Sequence, residues 1–267
     1  MAIQLDAAAL KEVTRRTMTG CCPTAIRFNS AIAILVSLTI VFSAIHTISA
    51  IAFGIQLKII LVSAGIWLLV SALIVKEFHK YVHSGFGAAN TVTSVRAMCA
   101  ALLFGLIPIA ESLQSMTNAG WMWLITVLAI LTVMLDGLDG YLARKYNTQS
   151  TFGARFDMEV DALLALIIAL FLWQSNKVGI WILGLGIMRY AFIAAAHWIE
   201  ALRNELYPSR RRKVVCVIQL LALCSLLCPV IDTPHSTTIA ALALICLALS
   251  FIIDIRWLLQ QSSSGSI

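Results

Sequence analysis

Residues 136–161 read DGLDGYLARKYNTQSTFGARFDMEVD and link two long apolar runs through a short polar segment. The stretch contains four aspartates: Asp136, Asp139, Asp157 and Asp161. The first two are three residues apart and the last two are four apart, so each pair shares one face of a helix. The polar segment between them is short enough for a turn, which makes the two helices antiparallel neighbours. The stretch therefore predicts a helical hairpin that gathers four carboxylates.

Carboxylates packed this closely need a neutralising partner. They must hold protons or a metal, and hard divalent cations with oxygen ligands are the natural neutraliser. Gly140, Ala143 and Gly153 have little or no side chain, so a large flat ligand has room to lie against the backbone there. Arg144 supplies a fixed positive fork that suits a phosphate. These residues predict a metal site next to a site for a phosphorylated ligand.

The chain as a whole is too apolar for a soluble domain. Of its 267 residues, 60% are hydrophobic and 12% are charged, and the mean hydropathy is +0.92. Apolar runs long enough to cross about 30 Å of hydrocarbon as helices recur along the sequence. They cover residues 30–53, 57–76, 91–111, 121–138, 157–174, 178–199, 214–231 and 237–258. The expected fold is an all-α polytopic membrane bundle of eight spans.

The distribution of positive charge predicts the orientation in the bilayer. Sixteen of the 19 Lys and Arg residues fall on the same side of the eight spans. Because Lys and Arg concentrate in cytoplasmic loops, both termini and the acidic stretch are expected at the cytoplasmic face of the membrane. The net charge of +6 is spread over these loops, which favours anionic lipid headgroups over nucleic acid as the partner.

The acidic stretch resembles the signature of the CDP-alcohol phosphotransferases, D-x-x-D-G-x-x-A-R-x(8)-G-x-x-x-D-x-x-x-D. Every fixed letter matches in order and spacing, at Asp136, Asp139, Gly140, Ala143, Arg144, Gly153, Asp157 and Asp161. Asn90, Thr93 and Arg96 are similar to the Asn-x-x-Thr-x-x-Arg that often opens the first core span of that family.

The resemblance implies three regions. Residues 90–260 would form the six-span family core. Residues 1–89 would add an amphipathic segment and two further spans, and residues 261–267 would be a disordered tail. Helices on the membrane surface are expected at 3–18 and 77–84, where apolar and charged residues alternate at helical spacing.

The resemblance also implies a reaction. An alcohol attacks the β-phosphorus of a CDP-linked donor, CDP-diacylglycerol or a related CDP-lipid, and CMP leaves. Two divalent cations, Mg²⁺ or Mn²⁺, are implied at Asp136, Asp139 and Asp157, with Asp161 beside the second ion as a metal ligand and as the general base. The residues implied to bind the donor are Asp139, Gly140, Ala143, Arg144, Gly153, Asn90 and Thr93. A homodimer is implied as well.

The acceptor alcohol is less well defined. The candidate acceptor residues are Arg155, Arg189, Lys213 and Gln219. Residues 212–219 partly resemble the pattern G-K-x-K-T-x-x-Q, which often opens the corresponding span of phosphatidylglycerophosphate synthases. Lys213 and Gln219 match this pattern, whereas Arg212, Val215 and Cys216 depart from it. The basic inner loops favour a phosphorylated or otherwise anionic acceptor. Glycerol 3-phosphate, inositol phosphate, serine, choline and phosphatidylglycerol all stay open.

Several residues have a structural alternative. Arg155 serves equally well as a positive anchor at the membrane surface. Arg189 lies midway along a span, so it faces either the acceptor or a partner acid within the bundle. Glu159 points off the face of Asp157 and Asp161, which indicates a solvated or packing role.

The alternative function is a cation transporter or channel that uses the acidic cluster as its ion site. Such a protein needs carboxylates near the membrane midplane and a path open to both faces. In this sequence the carboxylates cluster at one face, which favours the enzyme.

Overall fold

The computed structural model describes residues 23–78, 86–115, 120–204, 207 and 209–264. Within these ranges the chain is helical and contains no β-strand. The α-helices are α1 (Pro23–Phe53), α2 (Leu57–Phe78), α3 (Ala88–Gly105), α4 (Ala110–Ser115), α5 (Gly120–Lys145), α6 (Thr151–Gln174), α7 (Leu183–Trp198), α8 (Arg210–Leu227) and α9 (His235–Ser264). Short 3₁₀ turns occupy Ile107–Ile109, Ile180–Ile182 and Glu200–Arg203.

Within the ranges that the structure describes, six helical segments are long and apolar enough to cross a membrane. They are Asn29–Phe53, Leu57–Phe78, Ala88–Leu113, Gly120–Lys145, Ile180–Trp198 and His235–Gln261. The prediction of an all-helical polytopic membrane bundle is confirmed. The other two expected spans, 157–174 and 214–231, fall on α6 and α8, whose N-terminal halves are rich in charged residues. That these two helices also cross the bilayer stays a prediction.

Helix α3 lies at the centre of the bundle, against α2, α5 and α6. Its buried face carries Ala97, Ala100 and Ala101, which have no exposed surface. Small side chains let helix backbones approach closely inside a bilayer, where packing rather than the hydrophobic effect holds helices together. The same helix continues this buried side with the polar residues Asn90, Thr93 and Arg96, so the centre of the bundle is apolar at one end and polar at the other.

The hairpin of α1 and α2 packs on this core through close contacts. A side chain added at Gly105 of α3 would place its Cβ only 2.7 Å from the Cβ of Ser63 in α2. The hydroxyl of Ser63 also lies 2.8 Å from Nε2 of His46 in α1, which joins the two helices of the hairpin. At the end of α2, the ring of Phe78 meets the ring of Phe152 in α6 edge to face, with 5.7 Å between centroids.

Two helix ends differ from the expected boundaries. The run 91–111 is interrupted after Gly105 by a 3₁₀ turn that contains Pro108, because proline cannot donate the backbone hydrogen bond of a continuing α-helix. Helix α9 extends to Ser264, into the expected tail 261–267, whose last three residues lie outside the described ranges. The surface segment expected at 3–18 lies outside the described residues, as do 79–84 of the second one.

On the side of the bundle away from the acidic stretch, Lys177 is buried in the connection after α6. Its ammonium group donates a 2.5 Å hydrogen bond to the carbonyl of Cys228 at the end of α8, and Ser236 of α9 donates to the Lys177 carbonyl. Burial lowers the pKa of Lys177, and the nearby charge of Asp232 opposes that shift. Lys177 thus ties three helix ends together.

Candidate active site

The turn between α5 and α6 sets the relative position of the two acidic stripes. Asn147 adopts a left-handed conformation with φ of 51°, and the N–H of Thr148 donates to the carbonyl of Ala143 at 3.0 Å. This geometry ends a helix and reverses the chain. The hydroxyl of Ser150 then accepts a 2.9 Å hydrogen bond from the N–H of Gly153 and caps the start of α6.

The four aspartates lie close together, as the sequence predicts, and all four contact one arginine. Arg96 of α3 lies 2.8 Å from Asp139 and 2.5 Å from Asp157 through Nη1. Its Nη2 lies 3.1 Å from Asp136 and also pairs with Asp161. We call these five residues the acidic cage. The predicted convergence of the four carboxylates is confirmed.

The cage is closed at its base and open at its rim. The side chains of Asp136 and Asp157 keep 29% and 36% of their surface exposed. Those of Asp139 and Asp161 keep only 5% and 15%, and Arg96 has no exposed surface. A ligand would therefore meet Asp136 and Asp157 first.

The predicted donor residues Asn90 and Thr93 lie along the cage on α3. Thr93 donates a hydrogen bond of 2.9 Å from its hydroxyl to the carboxylate of Asp139. Asn90 donates to the carbonyl of Phe86 at 2.6 Å, and its side-chain oxygen faces Gly153: a Cβ on that glycine would lie 3.1 Å from it. A bulkier residue at 153 would crowd Asn90, so this glycine keeps α3 and α6 close at the site.

The residues present suit a divalent cation. Asp136, Asp139 and Asp157 each offer an oxygen, and these oxygens lie within 4.8 Å of one another among the described residues. Carboxylate oxygens are the ligands that Mg²⁺ and Mn²⁺ prefer. Asp161 joins the cage through Arg96, and its other oxygen lies 4.0 Å from the sulfur of Cys216. Metal binding by Asp161 stays a prediction.

The other residues predicted to bind the CDP-linked donor lie on α5, beside the cage. Gly140 and Ala143 are half-buried on α5, whereas Arg144 is exposed. A Cβ at Gly140 would lie 3.4 Å from Nη1 of Arg144, so the guanidinium covers the backbone where the side chain is missing. The exposed guanidinium of Arg144 therefore lies directly beside the backbone at Gly140.

The four candidate acceptor residues have different surroundings. Arg155 and Lys213 are exposed. Arg189 forms an ion pair of 2.5 Å with Glu159, which agrees with the structural alternative for this arginine. Gln219 is buried and donates its amide hydrogen to the carbonyl of Leu185 in α7, so its amide group joins two helices. A role for these residues toward the acceptor stays a prediction.

Two residues outside the predicted site contact predicted site residues in the structure. Arg96 is visible in the sequence only as part of a pattern, although a buried arginine in an apolar span signals an acidic partner. Glu159, for which the sequence indicates a solvated or packing role, is exposed and forms an ion pair with Arg189 of α7. Arg189 also lies within an apolar span, so the sequence predicts an acidic partner for it as well.

Comparison with known families agrees with this geometry. A sequence model described as CDP-alcohol phosphatidyltransferase matches residues 86–254, which is more than half of the chain and includes the whole cage. The chain belongs to the CDP-alcohol phosphatidyltransferase family. The match begins just before α3 and leaves α1 and α2 outside it.

Curated members of the family resemble shorter parts of the chain. The CDP-diacylglycerol–glycerol-3-phosphate 3-phosphatidyltransferases of Rickettsia typhi and Rickettsia prowazekii are 36% identical over 89 residues. These cover 33% of this chain and 46% and 45% of the two relatives. CDP-diacylglycerol–inositol 3-phosphatidyltransferase 1 of Arabidopsis thaliana is 32% identical over 77 residues, or 29% of this chain and 32% of that protein. The matched part thus spans less than half the length of these relatives. No solved structure matches the chain.

Proposed function

We propose that the protein transfers a phosphatidyl group from CDP-diacylglycerol, or a related CDP-lipid, to an alcohol and releases CMP, as a step of phospholipid biosynthesis. The observation that carries this proposal is the convergence of four aspartates from two helices on one small volume, at the position of the family signature. Members of this family transfer substituted phosphate groups, and the names of the curated relatives state such transfers.

Donor binding follows from the surface beside the cage. The pyrophosphate of the donor would lie near Gly140 and Ala143 on α5. There the exposed guanidinium of Arg144 can donate hydrogen bonds to a phosphate. Asn90 and Gly153, which lie next to each other, would also border the donor. The lipid tails of the donor can remain in the bilayer, because the outward faces of the membrane helices are apolar.

The cage supplies the chemistry. Asp136, Asp139 and Asp157 would hold two divalent cations, Mg²⁺ or Mn²⁺, with Asp161 beside the second, and such ions neutralise charge on a pyrophosphate during an in-line displacement. Asp161 would take the proton of the acceptor hydroxyl. The alcohol oxygen then forms a bond to the β-phosphorus, the bond from that phosphorus to the bridging oxygen breaks, and CMP leaves with the electron pair.

The acceptor is proposed to be a polar, anionic alcohol. Arg155 and Lys213 are exposed cations near the ends of α6 and α8, and cations favour a phosphorylated acceptor. Two of the curated relatives are named for glycerol 3-phosphate and one for inositol. Glycerol 3-phosphate is therefore the first acceptor to test.

The orientation and assembly are proposals from the sequence. The concentration of Lys and Arg on one side supports a cytoplasmic location for both termini and for the cage. The family resemblance supports a homodimer.

The packing below the cage disfavours an ion-transport function. The bundle core there contains a small cavity of about 10 Å³. It is lined by Leu103, Ile125, Ile167, Ile168, Phe171 and Leu227. A conducting path needs polar groups or water between the two faces, whereas this core is apolar.

The test is CMP release by the purified full-length protein in liposomes that contain CDP-diacylglycerol. Mg²⁺ or Mn²⁺ and a panel of alcohols are supplied, and the mass of the lipid product identifies the acceptor. The Asp157→Asn and Asp161→Asn variants are expected to lose at least about 100-fold in rate, because each removes a charge from the reacting centre. Glu111→Gln is the matched control, since Glu111 is an exposed carboxylate on α4, beyond the far end of α3. Full CMP release by either aspartate variant would contradict the proposal.

A further inference from the structure

Arg96 is a charged side chain with no exposed surface, and it contacts all four aspartates of the cage. A buried arginine is costly unless its charge is paired. The four aspartates have the complementary difficulty, because like charges held this closely repel one another. Each side of the cage therefore requires the other.

The geometry of the contacts is symmetric between the two helices of the hairpin. Nη1 of Arg96 bridges Asp139 of α5 and Asp157 of α6. Nη2 bridges Asp136 of α5 and Asp161 of α6. Each nitrogen of the fork thus joins one carboxylate from each helix. A planar guanidinium can hold two such bridges at once, whereas a lysine ammonium is a single point charge.

We infer that Arg96 is a resident counter-cation, which holds the four aspartates of the cage together when divalent cations are not bound. This is a positioning role, and it rests on the proposed function of the cage as a metal site. With four carboxylates and one guanidinium, the cage keeps a formal charge of three negative units. Arg96 therefore reduces the repulsion within the cage while leaving it attractive to divalent cations.

The carboxylates keep the capacity to bind ions beside Arg96. The guanidinium hydrogen-bonds one oxygen each of Asp139, Asp157 and Asp161. A carboxylate has two oxygens and about four lone-pair positions, so each retains acceptor positions for a cation. Arg96 is buried at the base, while Asp136 and Asp157 are the more exposed members, so ions can enter from the rim.

Thermal unfolding of the purified full-length protein tests this role without any turnover. The seven tryptophans supply the fluorescence signal, and each variant is melted in detergent with EDTA and with Mg²⁺. Arg96→Gln is expected to lower the Tm in EDTA by about 10 °C, because it breaks a buried charge network. Mg²⁺ is expected to raise the Tm of this variant more than that of the wild type, since the ions replace the missing charge.

Two further variants separate charge from shape. Arg96→Lys keeps the charge but loses the fork, so its Tm in EDTA is expected between those of the wild type and Arg96→Gln. The double variant Arg96→Gln with Asp136→Asn lacks both the guanidinium and one carboxylate, so the formal charge of the cage returns from four to three negative units. Its Tm in EDTA is expected to recover at least half of the loss seen in Arg96→Gln.

The inference is overturned if Arg96→Gln melts like the wild type in EDTA, or if Mg²⁺ shifts both proteins equally. If Arg96→Gln yields no folded protein, the double variant decides: recovery of folded protein supports the counter-cation role, and failure to fold refutes it. CMP release by the wild type is measured in parallel. Wild-type protein that releases no CMP refutes the proposed function, whereas the EDTA melts still report on Arg96.

Discussion

The hydrogen bond from Thr93 to Asp139 gives a sharp test of the cage. The hydroxyl lies 2.9 Å from the carboxylate of Asp139, whose side chain is only 5% exposed. A hydrogen bond to a charged group contributes about 1.5 to 3 kcal/mol. Arg96 remains as a second donor to the same oxygen, so the lower end of that range applies. Thr93→Val replaces the hydroxyl with a methyl group, so Asp139 loses one of the donors that orient it. The variant is therefore expected to lose about 1.5 kcal/mol of transition-state stabilisation.

That loss corresponds to about a tenfold decrease in rate, since 1.36 kcal/mol is a factor of ten. The assay is Mg²⁺-dependent CMP release in liposomes, measured at several concentrations of Mg²⁺ and of CDP-diacylglycerol. Thr93→Ser is the matched control, because it keeps the hydroxyl and removes only the methyl group. Wild-type rates for Thr93→Val would refute the reasoning. An equal loss in Thr93→Ser would also refute it, because packing of the methyl group would then be the cause.

Three other results are expected. Phe78→Ala removes the ring that packs on Phe152 in the first turn of α6, so it should lower both the Tm and the rate of CMP release, with a cost of about 3 kcal/mol; Phe78→Leu should lose less than half as much. Gly186→Ala would place a Cβ 2.4 Å from the Cα of Leu166 and should destabilise the protein by about 1 to 3 kcal/mol in thermal unfolding, while Gly65→Ala, which meets no atom within 4 Å, should not. EDTA should abolish CMP release and added Mg²⁺ or Mn²⁺ should restore it; activity that persists in EDTA would contradict a metal-dependent reaction.

The sequence predicts the acidic hairpin well, because its geometry is local. Helical periodicity places Asp136 with Asp139 and Asp157 with Asp161, and the short polar turn brings the two faces together. The Asn147 geometry that completes this turn is typical of asparagine, which tolerates the left-handed conformation. Local rules therefore suffice for this half of the site.

Helical periodicity does not identify Arg96 as the partner of these carboxylates. Arg96 is 43, 61 and 65 positions from Asp139, Asp157 and Asp161, and no periodic rule connects residues that far apart. The spacing of Asn90, Thr93 and Arg96 shows that they share a helix face, but the neighbour of that face depends on how α3 packs in the bundle. The contact of Gln219 with the Leu185 carbonyl is equally non-local.

The hairpin of α1 and α2 lies outside the family match, yet it contacts the helices that build the cage. Phe78 packs on Phe152, which precedes Asp157 by little more than one helical turn. At the other end of the hairpin, Ser63 contacts α3 where Gly105 leaves room for it. Helix α3 carries Arg96 and helix α6 carries two of the aspartates, so the α1–α2 hairpin contacts both of the helices that supply these residues. The added helices therefore pack directly on the helices that carry the signature residues, although they lie outside the family match.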